Sequence, residues 1–293
     1  MRRVGLRGLL TTLLLALAAL PLVALDWPVK DRILTGTFGE DRGDHLHLGI
    51  DIGGGEQDVH PVLGGELVFR YDEGDNYTSV PRGVGSFLVL HHSQDILTSY
   101  CHLVNGSLGP SRTGYSPSDR IGIIGDTGHS EGRHLHFSVY DQETGASINP
   151  LAFLPALPDA QPPVIKRVLL SVGDQLRPLE NGVMVRPGHG EILVETYDLR
   201  EDVKFHWSLA PYSVRFSLDG KEIAKILFDS IQESEGRMVV GATALTRETI
   251  YRPDGLIRCG VVELRTGESR LHLAVRDFAG NETVRDISFT VGQ

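Results

Sequence analysis

The stretch Gly132-Arg133-His134-Leu135-His136-Phe137-Ser138-Val139-Tyr140 alternates polar and apolar residues after its glycine. That is the pattern of a β-strand with one face on a core. Side chains in a strand alternate faces with period two, so His134 and His136 project together and Leu135 projects opposite. Two imidazoles on one face suit a bound metal, because neutral imidazole is the commonest metal ligand. The chain has 12 histidines in 293 residues. A lone His-x-His pair therefore needs support from elsewhere in the sequence.

That support comes from His45-Leu46-His47-Leu48-Gly49-Ile50-Asp51-Ile52-Gly53. This stretch also alternates, and period two puts His45, His47 and Asp51 on one strand face. Zinc accepts imidazole nitrogen and carboxylate oxygen, and a catalytic zinc has three protein ligands with one position open to water. His47, Asp51 and one histidine of the later pair would make such a set. Ser99-Tyr100-Cys101-His102-Leu103 adds another histidine at the end of a β-like run.

In this order, His47 to Asp51, Tyr100 to Leu103 and His134 to His136 resemble the lysostaphin-type (LytM-like) zinc endopeptidases that cut peptidoglycan peptides. The glycine-rich Gly122–Gly132 segment and Ile148-Asn149-Pro150-Leu151 resemble the approach to and the exit from that family's last motif. Gly36-Thr37-Phe38-Gly39 resembles the turn before its first. The likeness covers about residues 33 to 155. It implies that His47, Asp51 and His136 hold zinc and that His102 and His134 are the catalytic histidines, without deciding which is the base. Tyr100 is expected to pack at the site edge. His45 matches nothing in the family pattern and is expected at the rim. The alternative is a non-catalytic LytM-type regulator that binds and activates a cell-wall amidase. Such relatives lose ligands, and this chain keeps all five positions.

Composition bounds the rest. The chain is long enough for two domains, is 41% hydrophobic and carries a formal net charge of −10. It has no basic patch interleaved with aromatics, which excludes nucleic acid as an expected partner. Residues 1–24 read as a signal peptide: Arg2, Arg3 and Arg7, then an apolar run from Leu9 to Val23 that is short for a membrane span. The expected location is periplasmic or secreted, with an uncleaved anchor as the alternative. Two cysteines, Cys101 and Cys259, are too few for a disulfide scaffold and are expected as buried thiols.

Residues 25–157 read as an antiparallel β domain, with polar loops at 72–83 and 104–119 flanking a cleft. Residues 158–163 close a proline-stiffened linker. Residues 164–293 show short strands separated by turns, with Asp219-Gly220 as a hairpin signal. Asp277-Phe278-Ala279-Gly280-Asn281 resembles a turn of bacterial immunoglobulin-like domains. The expected fold is all-β: an antiparallel LytM-like peptidase domain, then an immunoglobulin-like β-sandwich. His189, His206 and His272 are expected to be structural or exposed. The expected partners are a peptidoglycan peptide as substrate and an envelope protein docking through the C-terminal domain.

Overall fold

The computed structural model describes residues 25–75, 83–173, 175–200 and 208–292. The proposed signal segment, most of the 72–83 loop and His206 lie outside these residues. Among the described residues, no helix is long and apolar enough to cross a membrane.

The first half is built on the strand His134–Asp141, whose exposure alternates as the sequence requires: Leu135, Phe137 and Val139 are buried, while His134, His136 and Ser138 face outward. On one side it pairs antiparallel with Ile96–Leu103. That strand pairs with Ser86–His91, which pairs with Gly65–Tyr71. On the other side, Ile50–Gly53 pairs with the first half of His134–Asp141, and Ala146–Ile148 pairs with its end. Ile33–Gly36 then pairs with Ile50–Gly53. The closed face packs Ile50, Ile52, Leu88, Leu90, Tyr100, Leu135 and Phe137 into one core. The open face carries the histidines.

The strand expected over 45–53 is shorter than its alternation suggests. It begins at Ile50. Residues 39–47 form instead a tight loop closed by Gly39 N to His47 O, His47 N to Glu40 O and an Asp41–Leu46 bridge. Loop closure, and not strand parity, therefore sets where His45 and His47 point. Tyr100 also differs from its expected place at the site edge. It is fully buried in the core, where its hydroxyl accepts from Val62 N and meets Thr98.

The second half has two sheets. One orders Gln175–Pro178, Val164–Val172, Gly188–Tyr197 and Ile257–Leu264; the other orders Met184–Val185, Glu282–Val291, Gly267–Arg276, Ser213–Leu218 and Lys221–Leu227. All pairings are antiparallel except Met184–Val185 with Glu282–Val291. A single core cluster draws Val168, Leu170, Ile192 and Val194 from the first sheet and Phe216, Leu273 and Phe289 from the second. At the hairpin, Asp219 and Gly220 both have positive φ, as a two-residue turn with right-handed strand twist demands.

The halves are also stitched together. Ser230–Ser234 adds to the free edge of Ala146–Ile148, and Arg237–Val240 adds to that, so a hairpin from the second half extends the sheet of the first. Phe38 and Leu46, from the first half, sit in the core of the second. The sequence offered no sign of this hairpin, because both edges pair through backbone. Cys101 and Cys259 are buried, free thiols, and Cys259 belongs to the core of the second half.

Candidate metal centre

Register brings the site together. Asp51 and His136 are direct partners across the sheet, and His136 is also opposite Cys101, one residue before His102. His47 arrives from the end of the 39–47 loop. Gly49 makes room for this approach: a Cβ there would lie 2.5 Å from Phe137 O and 2.8 Å from the His136 ring. Parity would turn His102 toward the core with Tyr100. His102 has φ +62°, outside the strand region, and this reverses its side chain toward the site. Its ring centroid lies 4.8 Å from that of His134 and 6.1 Å from that of His136.

Three donor atoms converge. His47 Nε2 is 3.1 Å from Asp51 Oδ1 and 3.0 Å from His136 Nδ1, and His136 Nδ1 is 3.1 Å from Asp51 Oδ1. His47 Nδ1 donates to Thr37 O at 2.8 Å, so its Nε2 carries a lone pair. That lone pair and the Asp51 Oδ1 lone pair face each other, an arrangement that a cation between them satisfies. Donors bound to a tetrahedral zinc at about 2.0–2.1 Å would be about 3.3 Å apart. The residues present therefore fit a metal of that kind, and His47, Asp51 and His136 form one of two groups among the described residues that could hold an ion.

The electrostatics agree. Burial pushes the Asp51 carboxyl up, but the His136 and His47 imidazoles outweigh it and hold the group well below the usual carboxylate range. Asp51 is thus the anion that a cation requires. Burial pushes the His136 imidazole down, keeping it neutral as a ligand must be. His102 is also pushed down by burial, to about 4, although its Nδ1 donates to Thr127 O at 2.7 Å. His134 Nδ1 lies 2.8 Å from Gly132 O, and its Nε2 is 3.6 Å from Asp51 Oδ1. Each of these two histidines spends Nδ1–H on a backbone carbonyl, which leaves Nε2 as the ring atom available for proton exchange.

His45 stands apart from this cluster. Its side chain is 63% exposed and meets Asp44. The residues not singled out in the sequence are those that support the cluster: Thr37, Glu40, Arg42 and Thr127. They lie in loops, where no periodicity marks which side chains turn inward. The second group that could hold an ion is Asp159, Asp198 and Asp277. It lies at the Asp277–Asn281 turn, where Asp277 Oδ1 accepts from Gly280 N and Asn281 N. His272 pairs with Asp286 at the surface.

An antiparallel sheet whose open face joins two histidines and an aspartate beside two further histidines is the arrangement that the LytM-type resemblance implies. The family model that matches it, over residues 37–150, is Peptidase family M23. The chain thus carries an M23 domain followed by a second β domain, and a separate family model matches that second part over residues 162–292. A curated relative, the outer membrane antigenic lipoprotein B of Haemophilus influenzae, is 27% identical over 134 residues, which is 45% of this chain and 30% of the relative. The chain therefore spans less than a third of that relative's length. Among solved structures, a zinc-containing peptidase from Vibrio cholerae is 24% identical, with 40% of this chain and 36% of that one covered and a TM-score of 0.34. The antimicrobial peptidase lysostaphin from Staphylococcus simulans is 14% identical, with 87% and 95% covered and a TM-score of 0.35.

Proposed function

We propose that this protein is an exported zinc endopeptidase that hydrolyses peptide bonds of peptidoglycan, either cross-links or stem peptides. The observation that carries this reading is the convergence of His47 Nε2, Asp51 Oδ1 and His136 Nδ1 beside two further histidines whose Nδ1 atoms are held by backbone carbonyls. A regulator needs the fold but none of these five side chains.

His47, Asp51 and His136 would hold the zinc. When bound, zinc supplies a Lewis acid for the scissile carbonyl and lowers the pKa of a coordinated water toward ~7. His102 and His134 handle the protons. One of them would accept the proton of the attacking water at Nε2, and that same proton would then pass from the pair to the leaving amine, a contribution of about 10²–10⁴-fold. Their tautomers are fixed in advance by Thr127 O and Gly132 O, so neither ring must turn over before reacting. The open sheet face offers an extended peptide the row of Ser138, Ser99 and Val89.

The match of residues 37–150 to the M23 family model supports the reaction class, and the outer-membrane name of the curated relative supports a periplasmic site of action behind a signal peptide. Residues 25–157 would be the peptidase domain, 158–163 the linker and 164–293 an immunoglobulin-like β-sandwich available to an envelope protein partner.

The test is to purify the protein, measure bound zinc and digest peptidoglycan, reading the muropeptides by mass spectrometry. Scission of a D-alanyl cross-link or a stem-peptide amide is expected. Scission of a glycan bond, or of the amide joining sugar to peptide, would overturn the endopeptidase. No scission by zinc-loaded protein would transfer the site to the amidase regulator.

A further inference from the structure

Asp51 uses its two oxygens differently. Oδ1 faces His47 and His136, while Oδ2 is 2.6 Å from Arg42 Nη2. Arg42 Nη2 is also 3.0 Å from Glu40 Oε2. The other oxygen of Glu40, Oε1, accepts from Thr37 N at 2.7 Å and from Ala210 N, in the second domain, at 3.3 Å. A path of hydrogen bonds therefore runs from the second domain through Glu40 and Arg42 to a proposed metal ligand.

Two further observations show that this path is built. Gly36 is the cross-strand partner of Asp51, and a Cβ there would stand 2.5 Å from Arg42 Nη2 and 2.6 Å from Asp51 Oδ2. Only glycine lets the guanidinium reach the carboxylate. In addition, the loop carrying Glu40, Arg42 and His47 is gripped from the second domain at several points. Arg247 pairs with Asp41 at 2.6 Å, the Tyr251 hydroxyl donates to Gly39 O at 3.1 Å, and Phe228 fills the space where a Gly39 Cβ would be, 2.2 Å from its Cδ1.

We propose that Arg42 is a positioning residue that makes Asp51 a one-oxygen ligand, and that the second domain holds Arg42 in place through Glu40 and the 39–47 loop. A carboxylate with both oxygens free can close on a metal through both and occupy the position needed by substrate. Arg42 removes Oδ2 from that choice. The Arg42–Asp51 hydrogen bond is charge-assisted, which makes it strong enough to compete. On this view the second domain is part of the metal site's support, in addition to any partner it binds.

The inference rests on the zinc reading above, and the experiment separates the two. The full-length protein is stripped of metal and titrated with zinc, and with cobalt(II), whose visible absorption is intense in four-coordinate sites and weaker in five-coordinate ones. Arg42→Gln is expected to weaken zinc about ten- to a hundred-fold, as loss of a ligand's hydrogen-bonding partner does elsewhere. It is also expected to reduce the cobalt band as Asp51 closes through both oxygens. Arg42→Lys should restore part of both. Arg247→Ala, which cuts the grip without touching the site, should shift the band in the same direction. An Arg42→Gln protein with the parent's cobalt spectrum and zinc affinity overturns the proposal alone. A parent that takes up neither metal overturns the zinc reading and this inference with it. If Arg42→Gln does not fold, Glu40→Gln carries the same test: a changed spectrum supports the path and an unchanged one overturns it.

Discussion

Asp51 and His136 are direct partners across two antiparallel strands, and their Oδ1 and Nδ1 atoms meet 3.1 Å apart. Pairing of this kind fixes the separation of two donors through the backbone ladder. Side-chain freedom contributes little to the error. The third donor, His47, comes from a loop and depends on what holds that loop.

His47→Ala, Asp51→Ala and His136→Ala should each lose the metal, because three ligands leave no redundancy. His102→Ala should keep the metal and lose turnover by about 10²–10⁴-fold. His45→Ala should match the parent in both, since its side chain turns to Asp44 and solvent. Metal analysis of the five purified variants checks this. Retention of zinc by His136→Ala with loss in His102→Ala would reverse the assignment.

Gly49→Ala should damage the site without removing a ligand. The added methyl would press on Phe137 O and on the His136 ring at 2.5 and 2.8 Å. Overpacking against backbone costs about 1–3 kcal/mol. Thermal melting with and without zinc should show a lower midpoint and a smaller stabilisation by metal.

Asp198 gives the second domain a pH signature. Burial, with Asp277 and Asp159 adding to it, pushes its carboxyl up to about 7. An unfolded aspartate titrates near ~3.9. The folded chain therefore keeps a proton that the unfolded chain releases across this window. The stability contribution is complete below about pH 4, falls as pH rises toward 7 and stays lost above. Asp198→Asn should flatten that fall and be more stable than the parent at pH 8 by at least about 1 kcal/mol. Denaturant midpoints from pH 4 to 8 measure it, and parallel curves for parent and variant would refute it.

Separating the halves should cost stability on both sides. A chain ending at residue 157 would expose Phe38 and Leu46 and the edge of Ala146–Ile148, while residues 164–293 alone would lack the partners of Phe228 and Tyr251. Unpaired edges and uncovered aromatics favour aggregation. Each fragment should melt below the full chain, and co-expressed fragments should purify together. Two fragments with full-length stability would show the junction to be incidental.

The sequence by itself determined the all-β class and the strand carrying His134 and His136, and its motifs proposed the residues of the candidate metal centre. These rest on local signals: period-two alternation along His134–Asp141, the Asp219-Gly220 turn and the order of three short motifs. Strand parity was right along His134–Asp141, and failed at 45–49, where a loop closes on itself and its hydrogen bonds decide direction. It failed again at His102, whose positive φ turns the ring to the site against the alternation. Only the tertiary structure decided that Arg42 and Glu40 adjoin Asp51, that Phe38 and Leu46 join the second core, and that Ser230–Val240 extends the first sheet. Arg42 meets Asp51 from a loop nine positions away, and the contacts between the halves join residues about 90 to 200 positions apart through loops and backbone edges. Loops carry no periodicity, and an edge strand pairs through amide and carbonyl groups that every residue possesses.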